Sequence, residues 1–211
     1  MPEHERPRLA SERRVEDFWS DRAHGAAGRI LTGATLAFAD LGYHGASTRE
    51  IAARSGMSPA AVYIHFESKE DLFLRIATEG HRASTAAFID PAGLATDPST
   101  KLRLAITSFA AWNADMHILS RMIEYEMRLH GGERFSDVAR LRRGVEQFLR
   151  SLLEEGVSTG AFDVPDPEGM KILILSFCID VARWYHHDFR RSPTAIGVQY
   201  ADLALSLVLK H

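Results

Sequence analysis

The sequence predicts an all-α protein, with a three-helix helix-turn-helix unit near its start and a larger helical body after it, about nine helices in all. Three features predict this. Apolar residues recur at spacings of three and four along most of the chain, the period of a helix face. No segment keeps the strict alternation of a half-buried strand. Between residues 47 and 72, three serine-led helix starts and a glycine turn follow one another closely, the punctuation of short helices packed at steep angles.

Residues 1–21 read as a flexible N-terminal arm. Within it Val15, Phe18 and Trp19 hint at a helical turn, and Arg13 and Arg14 have minor-groove reach. Ala27, Ile30, Leu31, Ala34, Phe38 and Leu41 mark a helix over about 22–41, which Gly42 stops. Ser47 stands three residues before Glu50, a capping box opening a short helix that carries Ile51 and Ala52 inward. Gly56 ends it. Ser58 caps the next helix and Pro59 takes the first helical position, where no N–H is needed; two turns then run to His65, with Phe66 sealing the apolar side.

Ser68 caps a third start, and a helix over about 69–88 buries Leu72, Phe73, Ile76 and Ala83. A loop follows through Asp90, Gly93, Asp97 and Pro98. Further helices are expected over about 101–113, 116–129, 135–155, 168–185 and 193–209. The division is therefore an arm over 1–21, a helix-turn-helix domain over 22–67 and a helical body over 68–211.

The chain has 211 residues and is 45% apolar, enough for a sizeable core. Its longest apolar run, 172–179, is too short to span a membrane and contains Ser176. Residues 1–22 mix Arg with Glu and Asp and lack an apolar centre, so no signal peptide is expected. A single cysteine, Cys178, excludes an intrachain disulfide framework and suits a reducing compartment. These features predict a cytoplasmic protein without a membrane partner. The net charge of −3 argues against broad coating of nucleic acid and fits a compact, selective footprint.

The residues around the glycine turn have DNA-reading chemistry. Helix N-termini carry partial positive charge and free N–H groups, so several facing one strand clamp phosphates. Thr48 adds a hydroxyl to such a clamp, Tyr63 and His65 are further phosphate donors, and Lys69 adds a full charge. Base contacts would fall to Arg49, Ser58, Ala60 and Ala61, beside Pro59, because Arg forks onto guanine and an Ala methyl meets a thymine methyl. One two-turn helix reads too few bases alone, so a homodimer on palindromic operator DNA is expected.

Thr48 to Ala52, Ser55 to Ser58, Val62-Tyr63, His65-Phe66 and Ser68 to Leu72 resemble the DNA-binding signature of TetR-type transcriptional regulators, over about residues 25–72. The resemblance implies a homodimeric repressor whose C-terminal helices bind a small molecule and release the operator. It also implies phosphate contacts at Thr48, Tyr63, His65 and Lys69, with Arg49, Ser58, Ala60 and Ala61 nearest the bases. Two positions depart from the pattern. Ile64 stands where a polar or aromatic residue is common, and Ala60 where glycine is frequent.

The apolar run 170–179 and the stripe Tyr200, Leu203, Ala204, Leu207, Val208 suit dimerisation through the last two helices. Ligand-pocket candidates are Trp112, Met116, Met122, Tyr125, Phe148, Cys178 and Trp184, with Asn113, Glu126 and Arg183 as polar groups among them. The segment around Arg183 and Trp184 is loosely similar to TetR-type regulators of fatty-acid and steroid breakdown, which implies an acyl-coenzyme A ligand. The alternative is a drug-efflux regulator sensing neutral apolar compounds. A helical-bundle enzyme is the distant alternative: the chain lacks the Glu-x-x-His pairs of a dimetal bundle, a Gly-x-Ser-x-Gly elbow and a phosphate-cradling glycine loop. No metal and no cofactor are expected. The helix over 69–88 spans both halves, which predicts a switch in which ligand tilts the reading heads.

Overall fold

The computed structural model describes residues 10–127, 130 and 132–209. Among them there are ten α-helices and two short 3-10 turns, and no strand. None of these helices is long and apolar enough to cross a membrane.

The tenth helix lies where the sequence suggested a flexible arm. α1 spans Ala10–Ser20 and buries Val15, Phe18 and Trp19, which at spacings of three and four share one face. The Trp19 indole donates to Thr35 Oγ1 at 2.9 Å, satisfying a buried N–H. The arm over 1–21 is thus helical over 10–20, and residues 1–9 lie outside the described residues. Arg14 pairs with Asp115 at 2.9 Å, turned toward the helical body.

α2 (Gly25–Gly45) runs regularly up to Gly42, whose φ +71° and ψ 165° are non-helical and break the helix at the expected stop, with a short turn beyond the kink to Gly45. α3 (Thr48–Arg54), α4 (Pro59–His65) and α5 (Lys69–Ile89) follow. The remaining helices are α6 (Pro98–Asp115), α7 (His117–Glu126), α8 (Ser136–Ser158), α9 (Pro167–Trp184) and α10 (Pro193–Val208). α6, α9 and α10 each start on a proline at the first position, capped by Asp97, Asp166 and Ser192. Asp97-Pro98, expected as loop, is such a start, with Asp97 accepting from the Thr100 N–H at 2.8 Å.

Two apolar clusters form the core. One gathers α1 to α4, the first half of α5, α7 and the start of α8, around Trp19, Phe38 and Phe73. The other gathers the end of α5 with α6, α8, α9 and α10. The division between the clusters runs through α5: Leu72, Phe73 and Ile76 belong to the first cluster and Phe88 to the second. α6 and α10 approach closely enough that a Cβ on Gly197 would lie 2.1 Å from the Thr107 carbonyl oxygen.

Candidate functional site

α3 and α4 are joined by a tight turn. Gly56 has φ +65°, and the Met57 N–H reaches the Ala52 carbonyl while the Gly56 N–H reaches that of Ala53. This paired closure of a helix end needs a left-handed residue, which glycine supplies without strain. The three starts are capped as the sequence suggested: Ser47, Ser58 and Ser68 side chains accept from the N–H groups of Glu50, Ala61 and Asp71 at 3.1, 3.2 and 3.0 Å. The Glu50 carboxylate does not reach back to complete its capping box. It accepts from Arg54 Nε at 2.8 Å, and Arg54 also pairs with Asp40, tying α3 to α2. Gly33 permits that contact, because a Cβ there would meet Ser55 Oγ at 2.5 Å.

Only Val62 of α4 is buried. Arg49, Ser58, Pro59, Ala60, Tyr63 and His65 are exposed, and Thr48 and Ala61 are half-buried. The hydroxyls of Thr48 and Tyr63 lie 3.2 Å apart, so these expected phosphate contacts share one spot. Ser58 Oγ accepts from the Ala61 N–H as the cap, and its hydroxyl hydrogen remains to donate.

Lys69 is turned inward. Its ammonium donates to the carbonyls of Tyr43 at 2.8 Å and Ala46 at 3.1 Å, and sits 4.4 Å from the centre of the Tyr43 ring. These carbonyls lie at the end of α2, where partial negative charge attracts a cation. Two of its three N–H bonds are spent there, and one remains for a phosphate.

The same tyrosine is held from α7. Its backbone N–H donates to Glu126 Oε1 at 2.8 Å. Glu126 is buried, and its Oε2 finds no partner among the described residues.

In the helical body one cavity, about 590 Å³ counting its open mouth, lies between α5, α6, α7, α8 and α9. Phe109, Trp112, Ile123, Val145, Leu175 and Ile179 give it an apolar wall. Its polar wall includes His81, Asn113, Ser120, Glu124 and Arg142. Buried Asn113 donates to the Phe109 carbonyl at 3.0 Å and accepts from Ser120 at 2.6 Å, keeping one N–H in reserve. His81 Nδ1 lies 2.9 Å from the Ala77 carbonyl and so carries the proton toward it. Its Nε2 makes no hydrogen bond among the described residues and lies 3.8 Å from Glu124 Oε1. Burial pushes the His81 pKa below the ordinary histidine value, against the pull of the Ala77 carbonyl and Glu124. A neutral ring with this tautomer presents a bare acceptor at Nε2.

Of the expected ligand residues, Trp112 and Asn113 line this cavity. The structure does not bring the others to it. Met116 packs in the N-terminal cluster. Met122, Tyr125 and Glu126 border a separate hollow between α2 and α7, with Phe38, Gly42 and Arg121. Phe148 stacks edge-on against Phe88. Cys178 is fully buried, which pushes its thiol pKa up and keeps it protonated. Arg183 is exposed and forks onto Asp180 at 2.6 and 2.9 Å, and Trp184 packs on Tyr185 and Phe189. Helix periodicity marks inward faces but not which inward face has a void. One signal was missed: Gly80, Ala83, Ser84 and Thr85 form a run of small residues on α5, three of which line the cavity.

Residues 30–76 match the family described as bacterial regulatory proteins, tetR family, and residues 95–208 match the tetracyclin repressor-like C-terminal domain. A crystal structure of a tetR-family regulatory protein from Rhodococcus RHA1 is 35% identical, covering 90% of this chain and all of that one, with a TM-score of 0.82. The fatty acid metabolism regulator protein of Bacillus subtilis is 22% identical over 84% of this chain and 93% of its own length. AibR, solved in complex with isovaleryl coenzyme A and operator DNA, is 21% identical, covering 88% of this chain and 98% of that one, with a TM-score of 0.75.

Proposed function

The chain belongs to the TetR family of DNA-binding transcriptional regulators, and from that premise we propose a repressor whose grip on a palindromic operator is released by an acyl-coenzyme A thioester. The observation that carries the DNA half is α4: one buried residue holds it, and the rest of the helix stands clear of the body. Its Tyr63, with Thr48 and the third N–H of Lys69, suits phosphates. Arg49, Ala60 and Ala61 suit base edges.

The ligand half rests on the five-helix cavity. An apolar wall with a few convergent polar groups is the usual make-up of a small-molecule site. An acyl chain fits the Phe109, Trp112 and Leu175 side. The amide-bearing arm of coenzyme A offers N–H donors for His81 Nε2 and carbonyls for the spare Asn113 N–H. AibR carries such a thioester, and the Bacillus subtilis relative is named for fatty acid metabolism. These relatives favour the thioester over a neutral efflux substrate.

The second copy would sit on α9 and α10. Their inner faces are buried, yet Ile172, Leu173, Val198, Leu203 and Leu207 are each close to half exposed or more, and unpaired apolar surface of this kind marks an interface. A two-fold axis there sets two α4 helices one DNA turn apart, about 34–36 Å.

Selection from a random duplex pool with the full chain tests this. Enrichment of a palindrome, and its release by palmitoyl-coenzyme A or isovaleryl-coenzyme A but not by free coenzyme A, is the expected result. No enriched duplex would defeat the DNA reading. An enriched duplex released only by neutral apolar drugs would replace the thioester with the efflux alternative.

A further inference from the structure

Ile64 is 81% exposed in the middle of the reading helix. It is flanked by exposed Tyr63 and His65, and Ala60 stands four residues before it, also exposed. Residues four apart share a helix face, so α4 presents an outward strip of one small and one large apolar side chain. The side chains of that strip have no donor or acceptor, and the hydroxyl of neighbouring Tyr63 is turned to Thr48 Oγ1, 3.2 Å away. A β-branched side chain of this size left in water gains nothing for folding; it gains free energy only when something apolar covers it. In a major groove, base edges present donors, acceptors and one apolar group, the methyl on C5 of thymine. A 5-methylcytosine carries the same methyl.

Building on the DNA-binding reading above, we propose that Ile64 is a specificity-determining residue, packing with Ala60 against the C5 methyl of one pyrimidine in each half-site. The arrangement selects by shape and desolvation where Arg49 selects by hydrogen bonding. It also gives the departure from the family pattern at this position a physical purpose.

The test uses the full chain and the duplex selected above. Each thymine of the half-sites is replaced in turn by deoxyuridine, which removes only the methyl, and each cytosine by 5-methylcytosine, which adds it. Wild-type affinity should fall about fourfold at one thymine position per half-site, the value of one buried methyl-sized group. If the partner position is cytosine, methylation should strengthen binding by a similar factor. Ile64→Ala should abolish the sensitivity at that position alone, Ile64→Val should keep part of it, and neither should lower the thermal midpoint. Indifference of the wild type to every methyl, or full sensitivity retained in Ile64→Ala, would overturn the proposal. So would a lowered midpoint, because Ile64 would then serve the fold. Failure to enrich any duplex would instead remove the DNA reading on which the proposal stands.

Discussion

Replacing Gly42 by alanine should destabilise the protein far more than replacing Gly45, three residues away. Gly42 has φ +71° and ψ 165°, a region that is nearly closed to any residue with a Cβ and costs about 1–3 kcal/mol to occupy. Contact adds little, because the new Cβ would lie 3.4 Å from Glu126 Oε1, an ordinary van der Waals separation. Gly45 needs no positive φ, and its added Cβ would meet Leu41 Cβ at 3.5 Å. There alanine trims the freedom of the unfolded chain and should be neutral or stabilising by about 0.4–1 kcal/mol. For a chain of this size a loss of 1–3 kcal/mol lowers the midpoint by about 2–12 °C. Thermal unfolding followed by circular dichroism, at one fixed protein concentration because a dimer's midpoint depends on it, reads both variants. Equal midpoints for Gly42→Ala and wild type would refute the strain argument, and equal losses at both glycines would show that bulk, not φ, decides.

Three other outcomes are expected. His81 and His117 both have pKa values lowered by burial, so the unfolded chain takes up their protons first as pH falls. Their contribution is therefore intact above about pH 6.5 and lost progressively below it; urea midpoints should drop from about pH 7 to 5, and His81→Gln with His117→Gln should flatten that drop. Asn113→Leu removes the cavity's spare N–H, so palmitoyl-coenzyme A should release operator poorly while operator affinity stays unchanged; release at wild-type ligand concentrations would take Asn113 out of the site. Leu203→Glu with Leu207→Glu puts charge on the outer face of α10 without touching its buried face, so light scattering should report monomers and operator binding should fall steeply; an unchanged dimer would place the interface elsewhere.

The capped starts and the glycine turn are legible because each is local: every serine oxygen meets an N–H three residues on, and Gly56 supplies the one positive φ of the turn. Three features are not. α1 carries Val15, Phe18 and Trp19 among charges, and its stability comes from a distant Thr35 and the core it covers. Asp97-Pro98 is equally good as loop or as helix start, and only the Thr100 N–H decides. Aromatic, sulfur-bearing and a few polar residues on inward faces are the ligand candidates a sequence offers, but a close-packed interior has many such residues and few voids. Cys178 and Phe148 fill space, whereas small Ser84 and Thr85 on α5 border the cavity and Gly80 lets Ile123 pack against the helix beside it. Lys69 is a milder case: its charge suggested phosphate, while the nearby carbonyls of Tyr43 and Ala46 claim it first.

The convergence on Tyr43 bears on how a filled cavity reaches the DNA. α5 connects the cavity wall at Gly80 to Lys69 over eleven residues, about 16 Å of helix, and α7 connects Ser120 to Glu126 over six, about 9 Å. One link holds the Tyr43 carbonyl and the other its N–H. A ligand that displaced α5 and α7 together would carry this residue along and leave the bonds intact. Unequal displacement would stretch one of them, and the strain would fall on the segment from Gly42 to Ala46 that leads into α3. Leaving the Tyr43 N–H unpaired in this half-buried site costs at most about 1–3 kcal/mol, comparable with the coupling free energies by which effectors act. On the proposed function, the expected helix tilt and this peptide-level link would be one mechanism, because tilting α5 against a fixed α7 would load the Tyr43 bonds.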